Sequence, residues 1–106
     1  MSEKEEKLIL ILKDTLHCKQ APHILDHCVI QGEDVCLDDK YHLNKIGDKW
    51  CVYEMVDGEK AEEVSFKNCF SACILYIGNV VMDAGLCYAL QNQFIEHATP
   101  IVRPDF

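Results

Sequence analysis

The residue types that most often carry chemistry fall in three places along this chain of 106 residues. His17, Cys18, His23, His27 and Cys28 lie close together. Imidazole and thiolate are the usual zinc ligands, and His23 and His27, four apart, would share one face of a helix. Pro22 interrupts that geometry, and neither a CxxC pair nor a second regularly spaced ligand pair follows, so the spacing argues against a metal centre. Cys69 and Cys73 would sit one helical turn apart, with Cys69 near a helix start that would favour its thiolate. Only Lys67 lies nearby in sequence to activate it, and thiols within so apolar a run read as small core side chains. The third place is the carboxylate pairs Asp38-Asp39 and Glu62-Glu63, with His42 between them in sequence, which supply acid–base groups. Neighbours on a strand point to opposite faces, so neither pair converges by itself. No phosphate-binding glycine loop of either common type is present, and no basic stretch interleaved with aromatics. A non-enzymatic protein is expected, without cofactor or metal.

The chain's charge suggests binding instead. It holds 18 acids and 10 bases, a net charge of −8, and residues 31–65 alone hold 10 of the acids against 4 bases. Such a field repels nucleic acid and anionic membranes and draws in basic proteins. The acids that would form a recognition face are Asp38, Asp39, Asp48, Glu54, Asp57, Glu59, Glu62 and Glu63, with Glu33 and Asp34 beside them. Tyr53 or Met55 would serve as outward apolar anchors, because tight interfaces depend on a few large residues.

These residues need a scaffold. Ser2-Glu3-Lys4-Glu5 is a capping box, and Leu8, Ile9, Leu12 and Leu16 follow at helical spacing, which predicts a helix over residues 3–17. Short strands are expected at residues 28–31 and 35–37, with a turn at Asp38-Asp39-Lys40. Gly47-Asp48 suits a two-residue hairpin loop pairing Leu43 with Val52 and Lys45 with Trp50, so that Tyr41, Leu43, Trp50 and Val52 face the core. The second turn, at Asp57-Gly58, needs one extra residue for Val64 and Phe66 to return to that face, which predicts a bulge at Gly58. From Lys67 or Asn68 the chain is apolar almost throughout, predicting a long helix packed on the sheet. Ser71, Gly78, Gly85 and Asn92 would form a strip of small side chains along it, unless the glycines kink or break it between 79 and 85. The tail from Thr99, carrying Pro100 and Pro104, should be extended.

The fold class is therefore α+β: an N-terminal helix, an antiparallel meander of three to five strands and a long apolar C-terminal helix, in a single domain spanning residues 1–106. The seven cysteines are odd in number, and the first residues are charged rather than basic then apolar. Reduced thiols and a cytoplasmic location fit both observations. No apolar run is long enough to span a bilayer.

Tyr41, Leu43, Lys49-Trp50, Val52-Tyr53, Gly58, Phe66 and Ala72-Cys73 together form a pattern that resembles small bacterial immunity proteins of polymorphic and contact-dependent growth inhibition toxin systems. The likeness covers about a third of the chain and lies in core and turn residues. Similar proteins often carry Glu-Arg-Gly at the second turn, where this chain has Val56-Asp57-Gly58. They also tend to place acids before the Ala-Cys pair, where this chain has Cys69-Phe70-Ser71. The resemblance implies specific inhibition: binding to the C-terminal domain of a cognate toxin, often a nuclease with a basic cleft, as a monomer or homodimer. A small homodimeric structural or adaptor domain is the alternative, resting on the apolar helix and its strip of small residues; a thiol or metal enzyme is a third.

Overall fold

A capped amphipathic helix begins the chain in a computed structural model that describes residues 1–31 and 38–103. Helix α1 spans Glu3–Leu16, with the Ser2 hydroxyl accepting from the Glu5 N–H and the Glu5 carboxylate accepting from the Ser2 N–H. Leu8, Ile9, Leu12 and Leu16 are buried while Leu10 points outward. The run of five aliphatic residues is thus helical because its capping and burial follow a period of 3.6.

After a 3-10 turn at Ile24–His27 come strands β1 (Cys28–Ile30), β2 (Tyr41–Ile46), β3 (Lys49–Val56) and β4 (Glu59–Phe66), in that spatial order. The β2–β3 hairpin has the expected register, Leu43 opposite Val52 and Lys45 opposite Trp50. Gly47 takes φ 65, the left-handed conformation that a glycine-first tight turn requires. The second hairpin departs from expectation in one detail. Asp57 and Gly58 both have positive φ, 51 and 79, and close a plain two-residue turn with Val56 opposite Glu59. The extra residue instead enters β4 at Glu62-Glu63, between the pairs Glu54–Ala61 and Val52–Val64, with Glu62 at φ 53. Parity demanded one bulge between Gly58 and Val64; the tight Asp-Gly turn displaced it into the strand.

The sheet is mixed, not a purely antiparallel meander. β1 runs parallel to β2, with Cys28, Val29 and Ile30 opposite Tyr41, His42 and Leu43. A three-residue strand holds no pattern that fixes direction, and β2 has one edge left once β3 takes the other. Gln31 seals the pairing: its N–H donates to Leu43 O at 2.6 Å, and its side-chain oxygen accepts from the Lys45 N–H at 2.8 Å. The expected strand at 35–37 lies outside the described residues.

The long C-terminal helix is two helices. α2 spans Cys69–Val80, capped by Asn68, and α3 spans Ala84–Val102. Asp83 makes the break: its carboxylate accepts from the Leu86 N–H at 2.8 Å and starts a new helix. An apolar run reads as continuous by hydropathy, yet Asp83-Ala84-Gly85-Leu86 is an N-cap in its midst. The strip from Ser71 to Asn92 therefore does not form, and the homodimer argument that rested on it falls away. Gly78 serves the turnback instead, since a Cβ there would meet Gln91 Nε2 at 3.3 Å, the atom that donates to Ile74 O. We expect Asp83→Ala to cost about 1 kcal/mol in chemical denaturation and Asp83→Asn almost nothing. Equal effects of the two would show that the cap does not define the break.

The expected extended tail from Thr99 is helical as far as Val102. Pro100 removes one N–H, but Ala98 is fully buried and Ile101 and Val102 pack on the core, so burial outweighs the lost bond. α2 lies on β2, β3 and β4, with α1 and α3 packed against it. The Tyr76 hydroxyl pins α2 to the sheet by donating to Tyr41 O at 2.6 Å. No helix of the described residues is long and apolar enough to cross a membrane.

Candidate functional site

Two backbone bonds and one side chain gather acids at one end of the sheet. The Asp39 N–H donates to Met55 O at 2.8 Å, and the Met55 N–H donates to Lys40 O at 3.1 Å. The Asp38 carboxylate then accepts from the Gly58 N–H at 2.8 Å. The turn before β2 is thereby tied to the β3–β4 turn, so Asp38, Asp39, Asp57 and Glu59 share one end, all exposed. Asp39 and Asp57 have φ 60 and 51, which short polar side chains tolerate better than most.

Glu54 and Glu62 extend this group along the α2 side of the sheet, beside Tyr41. Burial, and then the carboxylates of Glu54 and Glu62, push the Tyr41 phenol above its ordinary value. Glu63 points the other way: its carboxylate pairs with Lys60 Nζ at 3.3 Å, and Lys60 lies over the Tyr53 ring at 4.6 Å. Burial acts to lower the Lys60 pKa, but the bond to Glu63 together with the nearby Glu63, Tyr53 and Cys51 groups raises it above its ordinary value. Asp48 sits in the β2–β3 turn, at the far end of β3, about 25 Å away. Of the nine residues expected to bind a partner, six acids form one continuous group; Glu63, Asp48 and Tyr53 do not join it.

Tyr53 is the clearest correction. Alternation places it and Met55 on the face away from α2, as an outward anchor would require. Yet Tyr53 is 2% exposed and Met55 5%, in a satellite cluster with Cys51. His42 stacks on Tyr53 with ring centroids 5.0 Å apart and planes 3° from parallel, and the Asn44 amide donates to the Tyr53 hydroxyl at 2.8 Å. Tyr53 therefore stabilises the sheet's second face, and His42, fully buried with it, is no surface base.

The other candidates for chemistry do not converge. Among the described residues no three His, Cys, Asp or Glu side chains are placed to hold a metal ion. His23 pairs with Asp26 on the surface, and the Cys28 thiol donates to Ile24 O at 3.3 Å. Cys69 and Cys73 do meet, with sulfurs 3.8 Å apart, but that contact and burial push the Cys73 thiol well up, away from thiolate. Glu62 and Glu63 diverge across the bulge.

Sequence reasoning missed the opposite end of the molecule. There Glu5 accepts from Lys45 Nζ at 2.9 Å and from the Trp50 indole N–H. Lys49 flanks the same hairpin turn, and Lys67 follows the end of β4. The capping box was legible, but its reach to a tryptophan 45 residues away was not. The sheet is thus bipolar along its strands, acidic at the Asp57 end and lysine-bearing at the Asp48 end.

Comparison with protein-family models, curated proteins and solved structures finds no match for this chain. The likeness to immunity proteins rests on the residue pattern alone.

Proposed function

We propose that this chain is a non-enzymatic immunity protein of the producing cell's cytoplasm, which neutralises a nuclease-type C-terminal toxin domain by occupying its basic active site. The observation that supports this reading best is the acidic end of the sheet: Asp38, Asp39, Asp57 and Glu59, with Glu54 and Glu62 behind them, held by the Asp38–Gly58 bond. A preformed group of carboxylates at a projecting turn fits a concave cationic site. Its field accelerates encounter and penalises acidic partners.

The test uses the C-terminal domain of a large secreted protein encoded beside this chain, with binding kinetics recorded at low and moderate salt. The variant Asp39→Asn/Asp57→Asn/Glu59→Gln removes three charges while keeping shape, and asparagine accepts the left-handed backbone at the first two positions. Asp38 is left intact because its carboxylate holds Gly58. We expect association to slow about thirtyfold at low salt, with a flatter salt dependence and little change in dissociation. An unchanged rate, or no binding by the wild-type chain, would end this reading.

A further inference from the structure

We propose that the cavity between the first turns of α1 and α2 and the last turn of α3 binds a small anionic amphiphile, an acidic head on an apolar body. The cavity measures about 560 Å³, within the range of small-molecule pockets. Leu8, Phe70 and Val102 give it apolar walls, and Lys4 and Lys67 supply cations. Neither lysine makes an ion pair among the described residues, although acids outnumber bases in the chain by 18 to 10. The lining carboxylate, Glu5, is already engaged by Lys45, the Trp50 indole and the Ser2 N–H, so it does little to cancel those charges.

These features select a ligand with two parts. Two unpaired ammonium groups favour an anion, and a charge-assisted contact there is stronger than a neutral one. The apolar walls exceed what an inorganic ion would cover, so the remainder of the ligand should be hydrocarbon. The N–H groups of Cys69 and Phe70 open α2 beside the lysines and add donors for the head. The site lies the length of β4 from Asp57 and Glu59, so it is independent of the proposed toxin interface.

Octyl phosphate is the probe, titrated into the isotopically labelled full-length protein and followed by amide chemical shifts at low salt. We expect saturable shifts centred on Cys69, Phe70 and Ser71. Affinity should fall about tenfold or more in Lys4→Gln/Lys67→Gln, whose melting temperature should match the wild type. Octanol and inorganic phosphate should each bind far more weakly. The proposal is overturned by an absence of saturation, by shifts centred elsewhere, by undiminished binding in the double variant, or by either half of the probe matching the whole.

Discussion

Glu5→Ala should destabilise the protein by about 3 kcal/mol at pH 7, far more than a helix-surface glutamate normally would. The carboxylate completes the capping box with Ser2, pairs with Lys45 Nζ and accepts from the indole of fully buried Trp50. Removing it abandons the Trp50 N–H inside the protein and leaves Lys45, itself largely covered, without a counter-charge. An unsatisfied buried donor and a lost cap each cost about 1 kcal/mol or more, and an unpaired, partly buried cation adds to them. The same site makes a pH prediction. Burial alone would raise the Glu5 pKa, but the Ser2 N–H, Lys45, Trp50 and the Ser2 hydroxyl together lower it from 4.5 to about 2. The folded value is depressed, so the stabilisation is complete above about pH 4.5 and vanishes as pH falls towards 2. It amounts to roughly 2–3 kcal/mol across that window. Urea titrations followed by the fluorescence of Trp50, the chain's single tryptophan, read both effects. Glu5→Gln should lose most of the pH 2–4.5 dependence while folding normally at pH 7. A variant as stable as the wild type, or with an unaltered acid limb, would show that the Glu5 network is not holding α1 to the sheet.

The parts of the fold visible in the sequence are those determined locally. Ser2 and Glu5, the stripe from Leu8 to Leu16, the turn at Gly47 and the Asn68 start of α2 all depend on residues within a few positions of one another. Parity was legible too: the shared face of Trp50, Val64 and Phe66 required a bulge, although not its position. What failed depends on distant partners. The parallel pairing of β1 uses the open edge of β2, a partner that nothing in Cys28-Val29-Ile30 specifies. Tyr53 alternates outward but is buried there, its ring stacked on His42 and approached by Lys60. Pro100 forecast an end to helix that the burial of Ala98 and the packing of Ile101 and Val102 against the core override. The acidic group was legible as charge density; its division between two ends and two faces was not, because that follows from hairpin register and from the bulge that sends Glu62 and Glu63 apart.

The reversal at residues 81–83 leads to the second large effect: Phe94→Ala should cost about 3–4 kcal/mol. Were residues 69–102 one straight helix, Phe70 and Phe94 would lie about 36 Å apart. In the observed fold their rings sit 5.7 Å apart, tilted by 35°, and Phe94 is wholly buried. Its phenyl ring belongs to the main core, which also contains Leu8 and Leu12 of α1 and Cys73 and Ile77 of α2. Truncation to alanine removes that apolar burial and opens a void that neighbours on three helices fill only in part. Tyr88 on the same helix is the control: at 71% exposed, its replacement by alanine should shift stability by less than about 0.5 kcal/mol. A chain with helices α2 and α3 continuous would abolish the contrast, since Phe94 would then project beyond the sheet. Measuring both variants by urea denaturation separates the two architectures. A loss under about 1 kcal/mol for Phe94→Ala would show that α3 does not fold back on α2. The outcome also bears on the packing of α3, because only a folded-back helix buries Leu90, Phe94 and Ala98 in the core shared with α1 and α2.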